Sequence, residues 1–234
     1  VGEAADPSPI SEGRPPQPVR PGLWLFAPNR DSQGGSAWCY ETETLDVLVD
    51  VPALSEANLS WLRQRASQRQ GWIVLSGRLG HGRCRALQAE LGWPVLVQEQ
   101  EAYLLPSVPD LHCFGQRHSL APGLELLWTP GPSPGSCVLH ATGGAAGDGL
   151  FCGRLLVPLG PGQLGPLRRT GTFHWQRQLN SIERLRQWLP AGSPEWIASG
   201  AALGALRGEK LLHGGADLLA RLDLSALAEA LPEA

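Results

Sequence analysis

Between Trp72 and Gln98 the chain reads strand, helix, strand. Trp72–Leu75 is an apolar run of buried-strand type, Gly82–Leu91 places Cys84, Leu87 and Leu91 on one helical side, and Pro94–Gln98 is a second run. Two strands joined through a helix lie parallel in one sheet, so this segment commits the chain to an α/β layout.

Around it the same vocabulary recurs. Leu23–Phe26, Ser36–Glu41 and Asp46–Val51 are expected to form a meander, followed by a helix over Ser55–Gln70 with Ser55 as N-cap and Glu56 in the first turn. In the second half, strands are expected at Leu124–Thr129, Ser136–His140, Gly149–Cys152 and Trp196–Ala198, with helices at Gln176–Trp188 and Leu218–Ala230. Each half is a run of strands followed by helices, which fits two sheets packed face to face with helices outside. Residues 1–21 hold Pro7, Pro9, Pro15, Pro16, Pro18 and Pro21, a composition that resists sheet pairing, and are read as a flexible arm before one domain over 22–234.

With 234 residues, 42% of them hydrophobic, one domain with a substantial core is the expectation, and no apolar run has the roughly 18 residues of a membrane span. A net charge of −3 gives no footprint for nucleic acid, and Arg63, Arg65, Arg69, Arg184 and Arg186 read as solvated helix faces. The 5 cysteines are odd in number and show no C-x-x-C spacing, so neither a disulfide framework nor a thiolate zinc site is expected. A reducing compartment follows, and with no secretory signal pattern the expected location is the cytoplasm.

The segment Trp72-Ile73-Val74-Leu75-Ser76-Gly77-Arg78-Leu79-Gly80-His81-Gly82, with its helix and following strand, resembles the signature region of the metallo-β-lactamase superfamily. In that family an apolar strand ends in Thr-His-x-His-x-Asp-His. Val47-Leu48-Val49-Asp50 is similar to the family's strand ending in an Asp that orients the metal loop. Trp128-Thr129-Pro130-Gly131-Pro132-Ser133-Pro134-Gly135-Ser136 resembles its Thr-Pro-Gly-His-Thr-Pro-Gly-Ser turn, Leu150-Phe151-Cys152-Gly153-Arg154 its Leu-Phe-x-Gly-Asp, and Ala198-Ser199-Gly200-Ala201 its Pro-Gly-His. Leu23–Arg30 and Thr172-Phe173-His174-Trp175 are similar to a branch of the superfamily found in cyanobacteria and plants. The resemblance implies a four-layer αββα sandwich, with the loops at Ser76–Gly82, Pro130–Ser136, Gly153–Arg154 and Gly200–Ala201 meeting at one edge.

It also implies a zinc or iron site, and here the chain departs from the family. In register, the first three His positions fall on Gly77, Leu79 and Gly82, the Asp of the motif on His81, the later His on Pro132, the bridging Asp on Arg154 and the last His on Ala201. Zinc needs three or four N, S or O donors, which Gly, Leu, Pro and Ala side chains lack, and a guanidinium does not coordinate. At about 4 Å and an effective dielectric near 20, unit charges interact by about 4 kcal/mol, so a dication beside Arg154 meets about twice that in repulsion. The expectation is no metal cofactor and no catalytic residues: a pseudo-hydrolase serving as a binding or regulatory module. The alternative is a hydrolase with a displaced site built from Asp50, His81 and His174.

Arg154 is expected to enter the vacated cleft and pair with Asp50. His81 with Cys84 could be drawn as a nucleophile pair, though nothing supplies an oxyanion donor beside them. His112, Cys113 and His118 lack zinc spacing and are read as loop residues; His174 is read as packing at a helix start, and Gly143–Gly147 as a hairpin tip. The 9 Trp residues are assigned mostly to the core, with Trp24, Trp38 and Trp175 open to a pocket-mouth role. The expected partner is a small molecule or protein, with neither nucleic acid nor membrane, and a homodimer through an apolar strand edge or Trp patch remains open.

Overall fold

A computed structural model describes residues 11–229. The first sheet has 7 strands in sequential order: β1 (Gln17–Arg20), β2 (Leu23–Asn29), β3 (Gly35–Glu41), β4 (Leu45–Val49), β5 (Gln70–Val74), β6 (Val95–Gln98) and β7 (Leu111–Phe114). The second has 6, in the order β15-β14-β11-β10-β9-β8, from β8 (Arg117–Ala121), β9 (Leu124–Trp128), β10 (Cys137–Ala141), β11 (Gly149–Phe151), β14 (Trp196–Ala198) and β15 (Leu212–His213). A small hairpin, β12 (Val157–Gly160) and β13 (Gln163–Gly165), stands apart. The helices are α1 (Glu56–Ala66), α2 (Cys84–Leu91), α3 (Trp175–Trp188), α4 (Gly215–Ala220) and α5 (Leu224–Ala228).

The period of two in the strands sorts the layers. Leu23, Leu25, Trp38, Tyr40, Val47 and Val49 from the first sheet meet Leu124, Leu126, Leu139, Phe151 and Trp196 from the second in one buried core. The alternate residues, among them Phe26, Ala37, Cys39, Leu48 and Ile73, face outward and are covered by Leu59 and Leu62 of α1 and Leu87 and Leu91 of α2. On the far side, Leu127, Val138, Leu150 and Ile197 are covered by Leu179, Ile182 and Leu185 of α3 and by Leu219 of α4. The order helix, sheet, sheet, helix is the four-layer sandwich that the sequence implies.

The helix ends obey local chemistry. Ser55 caps α1, its side chain accepting the Asn58 N–H, and α2 stops at Gly92 in the left-handed conformation at φ 66°. β4, β5 and β6 run parallel through the α1 and α2 crossovers, and β2, β3 and β4 form the antiparallel meander.

Several expectations are corrected. Gln17–Arg20 pairs with β2 although it contains Pro18, because an edge strand leaves one row of backbone groups unpaired and tolerates proline there. Ser11 and Glu12 also accept the Glu56 and Ala57 N–H groups, so the described part of the arm, residues 11–21, is tied to the domain; residues 1–10 lie outside the described residues. His112 and Cys113 lie in β7 and His118 in β8, on strands and not in a loop. The single C-terminal helix is two, because the Asp223 side chain accepts the Ser225 and Ala226 N–H groups and starts a new helix; Ala230 is outside the described residues. Arg65 donates to Asp46 at 2.6 and 2.9 Å and Arg69 to Asp46 at 2.9 Å, and Asp46 is fully buried, so these arginines are internal ties and not a solvated face. Arg184 binds the Trp128 carbonyl, and Arg186 the carbonyls of Leu219 and Leu222. Among the described residues no helix is long and apolar enough to cross a membrane.

Candidate functional site

The loops leaving β5, β9 and β11 and the turn after β14 converge on one edge of the sandwich. The Ser76 carbonyl accepts the Cys137 N–H at 2.9 Å, the Gly153 carbonyl accepts the Gly200 N–H at 2.8 Å, and the Gly200 carbonyl accepts the Ser36 N–H at 2.9 Å. Ser76, Gly77, Leu79, Pro132, Arg154 and Gly200 thereby line one cavity together with Asp50.

Asp50 ends the first-sheet run in the left-handed region, at φ 63°. That conformation is uncommon for a non-glycine residue and is held here by what the side chain reaches. Its Oδ1 accepts the Ser76 N–H at 2.8 Å and its Oδ2 the Ser76 hydroxyl at 2.7 Å. Burial pushes the Asp50 carboxyl above the usual range, against the hydrogen bonds from Ser76 and the charges of His81 and Arg154. A Cβ on Gly80 would stand 2.0 Å from Asp50 Oδ1, so the loop closes over the carboxylate only with glycine there.

Below the loop sits a second carboxylate, Glu101, with no exposed side-chain surface. Its Oε1 accepts the Gly135 N–H at 3.0 Å and lies 3.6 Å from Arg78 Nε, while its Oε2 lies 3.6 Å from His81 Nε2. Burial alone would raise this carboxyl; the nearby polar groups of His81 and Ser133 and the Gly135 N–H outweigh it and hold Glu101 below the usual range. Ser133 and Ser136 bond to each other at 2.8 Å, and the Ser136 hydroxyl accepts the Ser133 N–H at 2.9 Å.

Arg154 enters the cleft as expected but does not ion-pair with Asp50. Its Nη2 donates to the carbonyls of Ser32 at 2.7 Å and Gln33 at 3.1 Å, which the tight turn after β2 turns toward it. Backbone acceptors thus hold Nη2 without neutralising the charge. Burial, opposed by Asp50 and reinforced by Arg169, lowers the Arg154 pKa.

The cavity under the loop measures about 30 Å³, room for a water or two at roughly 15 Å³ each. Beside it opens a hollow of about 230 Å³ that shares Leu79, Pro132 and Arg154 and adds Gln33, Val157, Leu167, Arg169, Gln178 and Ala201. Gly82 lies outside both, against Val51.

The structure does not bring Asp50, His81 and His174 together into a displaced site. Asp50 is turned to Ser76 and His81 to Glu101, whereas His174 caps α3, its Nδ1 accepting the Arg177 N–H at 3.3 Å, in a groove with Arg168 and Trp175 on the far side of Arg169 and Thr172. Among the described residues no group of three or more His, Cys, Asp or Glu side chains could hold a metal ion. The residues present do not fit the zinc or iron centre that the resemblance implies: both oxygens of Asp50 are engaged by Ser76, and the other charged side chains lining the cavity are two guanidinium groups, Arg78 and Arg154.

The remaining candidates resolve as structure. Burial pushes the Cys84 thiol up to about 12, so it offers no thiolate to pair with His81. His112 bonds Asp110 at 2.9 Å, and His118 packs on Phe114. Trp38 is buried with its Nε1 donating to the Ser199 carbonyl; Trp24 packs on Trp61 and Arg65; Trp175 donates to the Leu227 carbonyl. Ser32, Gln33, Glu101, Arg169 and Gln178 had no motif to mark them, since each contributes through a long-range approach.

No family model matches the sequence, and no curated protein matches it. Solved structures do match in three dimensions. A B3 metallo-β-lactamase described as the first with an active-site glutamic acid is 19% identical, with a TM-score of 0.61, covering 92% of this chain and 91% of its own. An archaeal metallo-β-lactamase superfamily protein from Sulfolobus tokodaii is 15% identical at a TM-score of 0.57, covering 94% and 89%. An N-acyl homoserine lactone hydrolase is 17% identical at 0.52, covering 73% and 88%. What this chain shares with them is the metallo-β-lactamase fold.

Proposed function

We propose that this chain uses the metallo-β-lactamase fold as the frame of a binding or regulatory module and carries out no metal-assisted hydrolysis. The observation that carries this reading is Arg154. It occupies the position that the resemblance gives to the bridging Asp, and its guanidinium lines the same 30 Å³ cavity as Asp50. Metal-assisted hydrolysis needs a held metal with an open coordination position. The polar side chains around this cavity are serine hydroxyls, a carboxylate bound to Ser76, and two fixed cations, Arg78 and Arg154. The separation of Asp50, His81 and His174 weighs against the displaced-site hydrolase.

Thermal unfolding under a zinc titration tests the reading. A ligand at a thousand times its Kd stabilises the folded state by about 4 kcal/mol. The expected result is no saturable rise in Tm with zinc, iron or manganese. A rise that saturates at one equivalent would establish a metal site and overturn the proposal.

A further inference from the structure

We infer that the hollow beside Arg154 is a receptor for a small organic acid, its carboxylate held between Arg154 and Arg169 and its apolar body against Leu79, Val157 and Leu167. The inference rests on the functional reading above, that this edge of the sandwich is not a metal-dependent active site.

Charge is the first support. Two guanidinium groups line one cavity of about 230 Å³, and none of the residues lining it is an Asp or Glu. Among the described residues neither Arg154 nor Arg169 has a carboxylate within ion-pair distance, and the hydrogen bonds of Arg154 go to uncharged carbonyls. Like charges on one concave wall repel, and an anion between them reverses the sign of the interaction. The depressed pKa of Arg154, caused by burial and by Arg169 against the pull of Asp50, reports the same imbalance.

The segment bearing Arg169 is anchored. The Thr172 hydroxyl accepts the Arg169 N–H at 2.9 Å, and the Phe173 and His174 N–H groups bond the carbonyls of Pro132 and Gly131 at 3.4 and 3.0 Å. Both cations therefore belong to one built wall.

Gln178 adds specificity. Its Nε2 donates to the Leu155 carbonyl at 2.9 Å, but its Oε1 is buried without a partner on a side chain that lines the hollow and is 1% exposed. A small turn of this side chain toward the hollow would pair the unsatisfied acceptor with a donor on the occupant, such as a hydroxyl or amide N–H. Leu79, Pro132, Val157, Leu167 and Ala201 give the wall an apolar stretch beside the polar Gln33, Thr170 and Thr172, and that stretch favours a carboxylate with a short carbon body over inorganic phosphate. The volume lies below the roughly 300–1,000 Å³ of pockets for drug-sized ligands, so the occupant is of metabolite size.

The test is calorimetric titration of the full chain with α-hydroxyhexanoate, its neutral amide and inorganic phosphate, on the parent and on Arg169→Gln. Arg169 is exposed, so its replacement leaves the fold intact. The acid is expected to bind at one site, at least about tenfold more tightly than either the amide or phosphate, and Arg169→Gln to weaken the acid by about tenfold while leaving the amide unchanged. No saturable binding of the acid, equal affinity for acid and amide, tighter binding of phosphate, or an unchanged affinity in Arg169→Gln would each overturn the inference. Metal content measured on the same preparations separates the two readings: metal-free protein that ignores the acid sinks only the receptor, whereas stoichiometric metal sinks the functional reading whatever the acid does.

Discussion

Asp50 and Glu101 are both buried around the Ser76–Gly82 loop, and their surroundings push them in opposite directions. Desolvation raises Asp50. Its stabilising contribution is then fully present below the unfolded value, about 3.9, and is lost as pH rises through the higher folded value. Glu101 is the reverse: its contribution is present above about 4.3 and is lost as pH falls through the lower folded value. Denaturant melts across the acidic range should therefore show Glu101→Gln less stable than the parent by about 2 kcal/mol near neutral pH, with the gap closing on acidification. Asp50→Asn should show the opposite trend, the parent gaining on the variant as pH falls. Parallel curves for parent and both variants would mean that neither carboxyl titrates differently in the folded state. Of these two residues only Asp50 is visible in the sequence, because it ends an apolar strand before a motif. Glu101 sits in a run of Glu99, Gln100 and Glu101 that reads as surface, and its burial depends on Gly135, which contacts it from 34 residues away.

At the scale of elements, two variants test the layers. Asp46 accepts three hydrogen bonds from Arg65 and Arg69 and has no exposed side-chain surface. Without Asp46 the partly exposed Arg65 and Arg69 keep only Glu41 as a carboxylate partner, so Asp46→Ala should cost about 1.5–3 kcal/mol in urea unfolding; a loss under about 1 kcal/mol would restore the solvated-face reading of α1. In β5, a Cβ on Gly71 would lie 2.4–2.6 Å from the Trp93 ring. Gly71→Ala should therefore destabilise by about 1–3 kcal/mol, read from the same melts, and an unchanged midpoint would mean that Trp93 swings aside freely. The central strands were legible because both of their faces are buried: β3 is apolar or small almost throughout, and Val47, Leu48 and Val49 form an unbroken run. The strands that escaped notice, apart from the β12–β13 hairpin, are β1, β7, β8 and β15, the four edges of the two sheets. Edge strands carry the proline, histidine and arginine that keep them from pairing further, and those residues mask the strand pattern.

At the scale of the molecule, the sandwich and the meeting of its four loops follow from blocks in sequence order, but the chemistry at their meeting point does not. That Arg154 enters the cleft was readable from Gly153-Arg154; that it bonds the Ser32 and Gln33 carbonyls in place of Asp50 was not, since a backbone acceptor 121 or 122 residues away has no side-chain signature. The consequence is a cleft whose fixed charge is positive where the fold's metal-dependent relatives are expected to place a ligand. Elemental mass spectrometry of the full chain purified without chelator, run beside a screen for chelator-sensitive hydrolysis of lactams, thioesters and phosphodiesters, probes this most directly. The expected result is no stoichiometric zinc, iron or manganese and no chelator-sensitive turnover; one equivalent of bound metal, or turnover abolished by chelator, would contradict it.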